Sequence, residues 1–265
     1  MPASDLAREW NSSEYHRLSQ PQVIWGKKVL SRLTLRGDEL LLDAGCGTGR
    51  LTAELLRAVP RGRVVGLDIS QNMLHSAREY LQPQFGERAA LVVADLQNLP
   101  FENAFDGIVS TAAFHWVLDH DRLFANLFRS LRSGGWLQAQ CGGGPNLARL
   151  NGRMAVLAES RKYGPFLANF PSPWLYQNAE GAAETLQGAG FTDVQTGLEA
   201  APTLLEGRQH YMEFVKTVIV RTHLERIPGV ELRHQYVSDL ADQAAADDPP
   251  YMLDYWRLNL SATKP

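Results

Sequence analysis

Leu41-Leu42-Asp43-Ala44-Gly45-Cys46-Gly47-Thr48-Gly49-Arg50 runs an apolar segment directly into a glycine-rich turn, and a helical pattern opens after Gly49. A run that is apolar on both faces is the signature of a strand buried in a parallel sheet. Glycines at its end let backbone amides come close to a ligand at the carboxyl edge of such a sheet. The spacing is G-x-G-x-G, and Arg50 stands where the dinucleotide fingerprint has its third glycine, which argues against a pyrophosphate cradle. No Gly-Lys-Ser/Thr follows, so a Walker A loop is excluded as well.

The same strand–helix alternation continues outward. Val64-Val65-Gly66-Leu67 precedes a helix over Gln71 to Leu81, and Leu91-Val92-Val93 and Phe105-Asp106-Gly107-Ile108-Val109 read as further strands. The clearest helix is predicted over Asp119 to Leu131, where Leu123, Phe124, Leu127, Phe128 and Leu131 form one apolar face. Ser133-Gly134-Gly135 reads as a turn before a fifth strand, Trp136 to Gln140. Upstream, Pro21 to Leu33 has a helical stripe and ends at Gly37. Beyond Gly142-Gly143-Gly144-Pro145 the chain turns to amphipathic stretches over Asn146 to Lys162 and Gly207 to Leu224. Strands are expected at Phe191 to Thr196 and from about Met252 to Ala262. The expected fold class is α/β: a Rossmann-like, doubly wound, mostly parallel seven-stranded sheet with helical capping insertions. Three regions are expected: an N-terminal helical segment over 1–36 that covers the ligand of the glycine loop, the ligand-binding Rossmann-like core over 37–141, and the remaining strands with helical substrate-cap insertions over 142–265.

The chain of 265 residues is 45% hydrophobic and 21% charged, ordinary proportions for a folded protein. A formal charge of −3 without any basic block lacks the footprint of a nucleic-acid binder. Two cysteines, Cys46 and Cys141, cannot build a disulfide framework or a zinc cluster, so no metal is expected. Acidic residues near the N-terminus and the lack of any run of about 18 apolar residues lead us to expect a cytoplasmic protein without a membrane segment, monomeric or homodimeric.

Asp68 closes the second strand and Asp95 the third, so three acids, counting Asp43, fall in register along one crevice. An acid at a strand end often serves only as a turn or helix cap; three of them beside the glycine loop favour a ligand site. With these motifs the chain resembles the class I S-adenosylmethionine-dependent methyltransferases, of the type 11/25 kind. The matching text is Asp43 through Gly49, Gly66-Leu67-Asp68-Ile69-Ser70 with Met73, Ala94-Asp95-Leu96 with Leu99-Pro100-Phe101, Phe105-Asp106, and Leu131-Arg132-Ser133-Gly134-Gly135. The resemblance implies S-adenosylmethionine as cofactor, with Gly45, Gly47 and Gly49 around its methionine part, Asp68 at the ribose and Asp95 at the adenine; Asp43, which can meet a cationic amine, Cys46, Ile69, Met73, Leu96 and Thr111 complete the expected cofactor set. Cys46 itself reads as a small packed residue in a tight turn.

Thr111-Ala112-Ala113-Phe114-His115-Trp116-Val117 follows the fourth strand and is similar to the acceptor-pocket stretch of the small-molecule carboxyl methyltransferases, the trans-aconitate group among them. That resemblance implies an acceptor contact for Trp116, with its indole N–H as donor, and a second donor in Gln20. The segment Trp10 to Tyr15 is similar to an opening segment that folds over the cofactor, so Tyr15 and His16 are expected near the substrate. His115 is either a base or a hydrogen-bonded rim residue, and Trp116 either pocket wall or core filler. Arg149, Arg153, Arg161, Trp174, Tyr176, Arg208, His210 and Tyr211 supply cations and aromatics in the later segments. The expected function is methyl transfer to a small-molecule carboxylate. Phenol, amine or carbon acceptors, and a protein that binds the cofactor without turnover, are the alternatives.

Overall fold

The computed structural model describes residues 20–265. Its elements are α1 (Gln20–Leu30), β1 (Leu40–Ala44), α2 (Arg50–Ala58), β2 (Arg63–Asp68), α3 (Gln71–Phe85), β3 (Ala89–Val93), β4 (Phe105–Thr111), α4 (His120–Ser130), β5 (Leu131–Gly142), α5 (Ala148–Ala158), α6 (Gly164–Leu167), α7 (Ala179–Gly188), β6 (Thr192–Ala200), β7 (Thr203–Leu204), α8 (Gly207–Phe214), α9 (Arg221–Arg226), α10 (Val230–Ala244), β8 (Met252–Leu253) and β9 (Trp256–Thr263). Seven strands form one sheet in the order β3-β2-β1-β4-β5-β9-β6. The pairs from β3 to β5 are parallel, and β9 runs antiparallel to β5. This is the doubly wound, mostly parallel sheet expected from the sequence.

Alternation along the central strands explains why they read as uniformly apolar. Leu41 and Val109 enter the core built by α1, α2 and α3, with Val29, Leu55, Leu56 and Leu81. Their neighbours Leu42 and Ile108 enter the opposite core, with Phe105, Phe124, Leu127 and Leu186. Each fully buried leucine contributes about 1.5–3 kcal/mol, so a polar residue on either face would be costly. Helix starts follow local chemistry: the Met73 N–H donates to Ser70 Oγ (3.2 Å), the Arg122 N–H to Asp119 Oδ1 (2.9 Å) and the Gly181 N–H to Asn178 Oδ1 (2.7 Å).

Two expectations change. Ser133-Gly134-Gly135, read as a turn, lies within the longer strand β5, where the Gly134 N–H donates to the Lys264 carbonyl (2.8 Å) and Gly134 has φ +74°. Pairing with the far end of the chain overrides the local turn signal, and the β4–β5 register shifts between Phe105 and Gly107 to absorb the irregularity. Asp95 lies just past β3 rather than closing it.

Residues 145–173 and 200–256 form a second compact unit of their own. Within it, Arg153 pairs with Asp247, Arg208 donates to Asp242 Oδ1 (2.9 and 3.0 Å) and Ser238, and the Tyr163 hydroxyl donates to Asp239 Oδ2 (2.7 Å). Tyr211 is fully buried, and the ring of His210 accepts from the Glu206 N–H (3.2 Å). Several of the cations and aromatics that composition offers for substrate thus have structural engagements inside this unit. Among the described residues, no helix is long and apolar enough to cross a membrane.

Candidate functional site

The three glycines of the β1–α2 loop all have positive φ, +83° at Gly45, +54° at Gly47 and +81° at Gly49, but for different reasons. A side chain on Gly45 would collide with Ala113 Cβ, and one on Gly49 would start 2.8 Å from Leu81 Cδ1. At Gly47 a Cβ meets nothing within 4 Å among the described residues. No packing among the described residues requires glycine there, and Gly47 lines a cavity of about 290 Å³ together with Gly45, Cys46, Thr48, Thr111 and Ala112. Gly45→Ala should therefore cost about 2–5 kcal/mol of stability, summing strain in the left-handed region and overpacking, whereas Gly47→Ala should cost only about 1–2 kcal/mol. Urea denaturation of the two variants decides the matter; equal losses would refute the distinction.

Asp68 ties the loop to the next strand. Its Oδ2 accepts from the Gly47 N–H (2.9 Å) and its Oδ1 from the Ser70 N–H (2.9 Å), so one carboxylate fixes both the glycine loop and the start of α3. Asp43 is 1% exposed, and the Thr52 hydroxyl donates to its Oδ2 (2.6 Å). Burial pushes the Asp43 pKa up to about 7; the Thr52 bond opposes the rise and the charge of Asp68 adds to it. Asp95 Oδ1 accepts from the Gln97 N–H (2.9 Å), a local turn that aims the carboxyl group. Met73 and Leu96 are buried, and Ile69 is half-buried. Of the predicted cofactor set, Gly45, Cys46, Gly47 and Thr111 line the cavity; Asp43, Gly49, Asp68, Ile69, Met73, Asp95 and Leu96 do not. Cys46 is a packed thiol: a side chain on Gly66 would begin 3.1 Å from its Sγ, and burial first, then the charges of Asp43 and Asp68, raise its pKa well above the ordinary value.

A second cluster forms just beyond β4, on the single turn Phe114–Trp116. The His115 ring lies 5.3 Å from that of Trp116 and 5.9 Å from that of Tyr176, while Trp174 meets Trp116 edge-on at 5.6 Å and stacks on Tyr176 at 5.8 Å. The Leu175 N–H donates to the His115 carbonyl (2.8 Å), holding the two segments together. His115 is 8% exposed, and its Nδ1 accepts from the Gly142 N–H (3.3 Å). Burial, then the charges of Arg257 and His120, holds the imidazole pKa well below its usual range. A neutral ring whose Nδ1 accepts carries its proton on Nε2, so His115 presents a donor and not a base. Tyr15, His16 and the side chain of Gln20 lie outside the described residues.

α1 belongs to the N-terminal segment expected to cover the cofactor, and it lines the cavity through Gln22, Val23 and Gly26, residues the sequence reading did not single out for the site. A glycine within a helix was the available signal at Gly26, where a Cβ would make only an ordinary contact with Leu51 Cδ1 of α2 at 3.5 Å. Ala112, at φ +57°, is a strained cavity residue that no pattern announces.

Residues 41–135 match a family described as Methyltransferase domain. The trans-aconitate 2-methyltransferase of Deinococcus radiodurans is 29% identical over 231 residues, covering 84% of this chain and 85% of that one. The enzyme of the same name from Methylobacterium radiotolerans is 35% identical over 166 residues, covering 62% and 60%. Among solved structures, Haemonchus contortus phosphoethanolamine N-methyltransferase 2 in complex with S-adenosyl-L-methionine superposes with a TM-score of 0.62 at 21% identity, over 96% of this chain and 56% of that one.

Proposed function

The chain is a class I S-adenosylmethionine-dependent methyltransferase, and from that premise we propose that it transfers the methyl group to a carboxylate oxygen of a small molecule. S-adenosylmethionine, when bound, supplies a methyl on a positively charged sulfur, open to in-line displacement. The residues present fit that group: Gly47 leaves backbone, not side chain, facing the cavity, and a Cβ there would fill ligand space. In this reading Gly45, Cys46, Gly47 and Gly49 hold the methionine part with Asp43 behind them. Asp68, with Ile69 and Met73 beside it in sequence, takes the ribose hydroxyls through its carboxylate oxygens. Asp95 and Leu96 meet the adenine.

One observation carries the choice of acceptor: the Gly142 N–H donates to His115 Nδ1, leaving a neutral imidazole that donates from Nε2. A phenol or amine acceptor calls for a base, whereas a carboxylate is a nucleophile at neutral pH and needs only donors to orient it. His115 and the Trp116 indole are donors of that kind, and Gln20 is the third we assign. The names of the bacterial relatives, trans-aconitate 2-methyltransferases, agree with this class of acceptor.

The test is transfer from methyl-labelled S-adenosylmethionine to pooled carboxylic acids, trans-aconitate included, against pooled phenols and amines. Label released as volatile methanol by mild base is the expected result. Base-stable label would overturn the carboxylate reading in favour of a phenol, amine or carbon acceptor.

A further inference from the structure

Four backbone N–H groups of the glycine loop are committed within the protein. Those of Gly45 and Cys46 donate to the Leu67 carbonyl (2.8 and 2.9 Å), that of Gly47 to Asp68 Oδ2 (2.9 Å) and that of Gly49 to the Cys46 carbonyl (3.0 Å). The N–H of Ala112, on the same cavity wall, donates to the Gln140 carbonyl (2.8 Å). The methionine part of S-adenosylmethionine carries a carboxylate, and a carboxylate taken out of water needs a cation or donors of its own. Helix α1 supplies the cation. Lys27 lines the cavity with Gly26 and Leu30, and its side chain has no ion pair and no hydrogen bond among the described residues. From this we propose that Lys27 is a cofactor-binding residue whose ammonium group pairs with the carboxylate of S-adenosylmethionine. This rests on the cofactor placement given above and is independent of the acceptor.

The charges around it leave Lys27 to a ligand. Lys28, the next residue of α1, pairs with Glu199 (2.6 Å), and Arg32 donates to Asn259 and Glu199. Glu54, the carboxylate on the cavity wall, is engaged by Arg57 at 2.6 Å. Across the cavity, Arg50 and Leu51 belong to the first turn of α2, where the positive end of the helix favours an anion. A carboxylate held there meets the helix end on one side and Lys27 on the other. Lysine suits the task because its compact charge rides on a flexible four-carbon stem, which can follow a ligand that enters and leaves. Lys27 is exposed, so water screens the pair and the expected effect is moderate.

The experiment is titration calorimetry on the full chain with two ligands: S-adenosylhomocysteine, and S-adenosyl-3-thiopropylamine, the same molecule without its carboxylate. Lys27→Gln should bind S-adenosylhomocysteine about 5–10-fold more weakly than wild type, and Lys27→Glu, which sets a like charge against the carboxylate, about 30-fold or more. For the decarboxylated ligand, Lys27→Gln should stay within about twofold of wild type, a split that a merely structural lysine would not give. The thermal midpoint should not move. Wild-type affinity for S-adenosylhomocysteine in Lys27→Glu overturns the assignment. An equal loss for both ligands in Lys27→Gln overturns it too, making Lys27 a support of α1. Gly47→Ala tests the placement of the cofactor separately, since its Cβ enters the cavity. If that variant loses S-adenosylhomocysteine while the Lys27 variants do not, the placement stands and Lys27 falls; if it binds like wild type, both fall.

Discussion

Asp68→Ala binds S-adenosylhomocysteine at least about 100-fold more weakly than wild type and still folds. The carboxylate of Asp68 accepts two backbone N–H groups, from Gly47 and from Ser70, each at 2.9 Å. A hydrogen bond to a charged group is worth about 1.5–3 kcal/mol, so losing both releases the glycine loop by about 3–6 kcal/mol. At about 1.4 kcal/mol per factor of ten, even the lower figure is a hundredfold in a ligand that the loop must cradle. Any contact from Asp68 to the ribose adds to this loss. The fold survives because β2 keeps its pairing with β1 and β3, and Ser70 still caps α3 through its own side chain. Titration calorimetry with S-adenosylhomocysteine measures the effect, and Asp68→Asn separates its parts. The amide keeps one acceptor oxygen, so it should lose less than alanine. A wild-type dissociation constant in Asp68→Ala would remove Asp68 from the site.

What the sequence disclosed was what is encoded locally. Leu41 and Leu42 face opposite cores, and that alternation within two residues makes a strand legible as one buried on both sides. The glycine loop was legible because positive φ at three nearby positions demands glycine at each. Which of the three is closed off by packing was not legible, since that depends on Ala113 and Leu81 arriving from elsewhere. The same limit hid the strand over Leu131–Gly135, which Lys264 completes from the far end of the chain. It also hid the aromatic packing around His115 and Trp116. Trp174 and Tyr176 look like ordinary aromatics of a later segment until the Leu175 N–H bonds to the His115 carbonyl.

His115→Ala lowers kcat/KM for the acid about 10²–10³-fold, with cofactor affinity unchanged, and His115→Gln recovers part of the loss. The magnitude is that of removing one preorganised donor from a shielded site where charge is redistributed. Glutamine can place an amide N–H near the position of Nε2, so it replaces a donor but cannot replace a base. Two further readouts separate the roles. A base would give wild type an acid limb in kcat/KM near the ordinary imidazole pKa of about 6.5, whereas a ring held neutral well below that range gives none there. Stability carries the same sign. A histidine whose folded pKa is depressed contributes stability that is present above its unfolded pKa and is lost as pH falls below about 6.5, because the unfolded ring takes up a proton that the folded one refuses. Wild type should thus lose stability between about pH 6.5 and 5 more steeply than His115→Gln, which has no proton to take up. Equal inactivity of the Gln and Ala variants, together with an acid limb near pH 6.5 that both abolish, would make His115 the base and return the phenols and amines to the front.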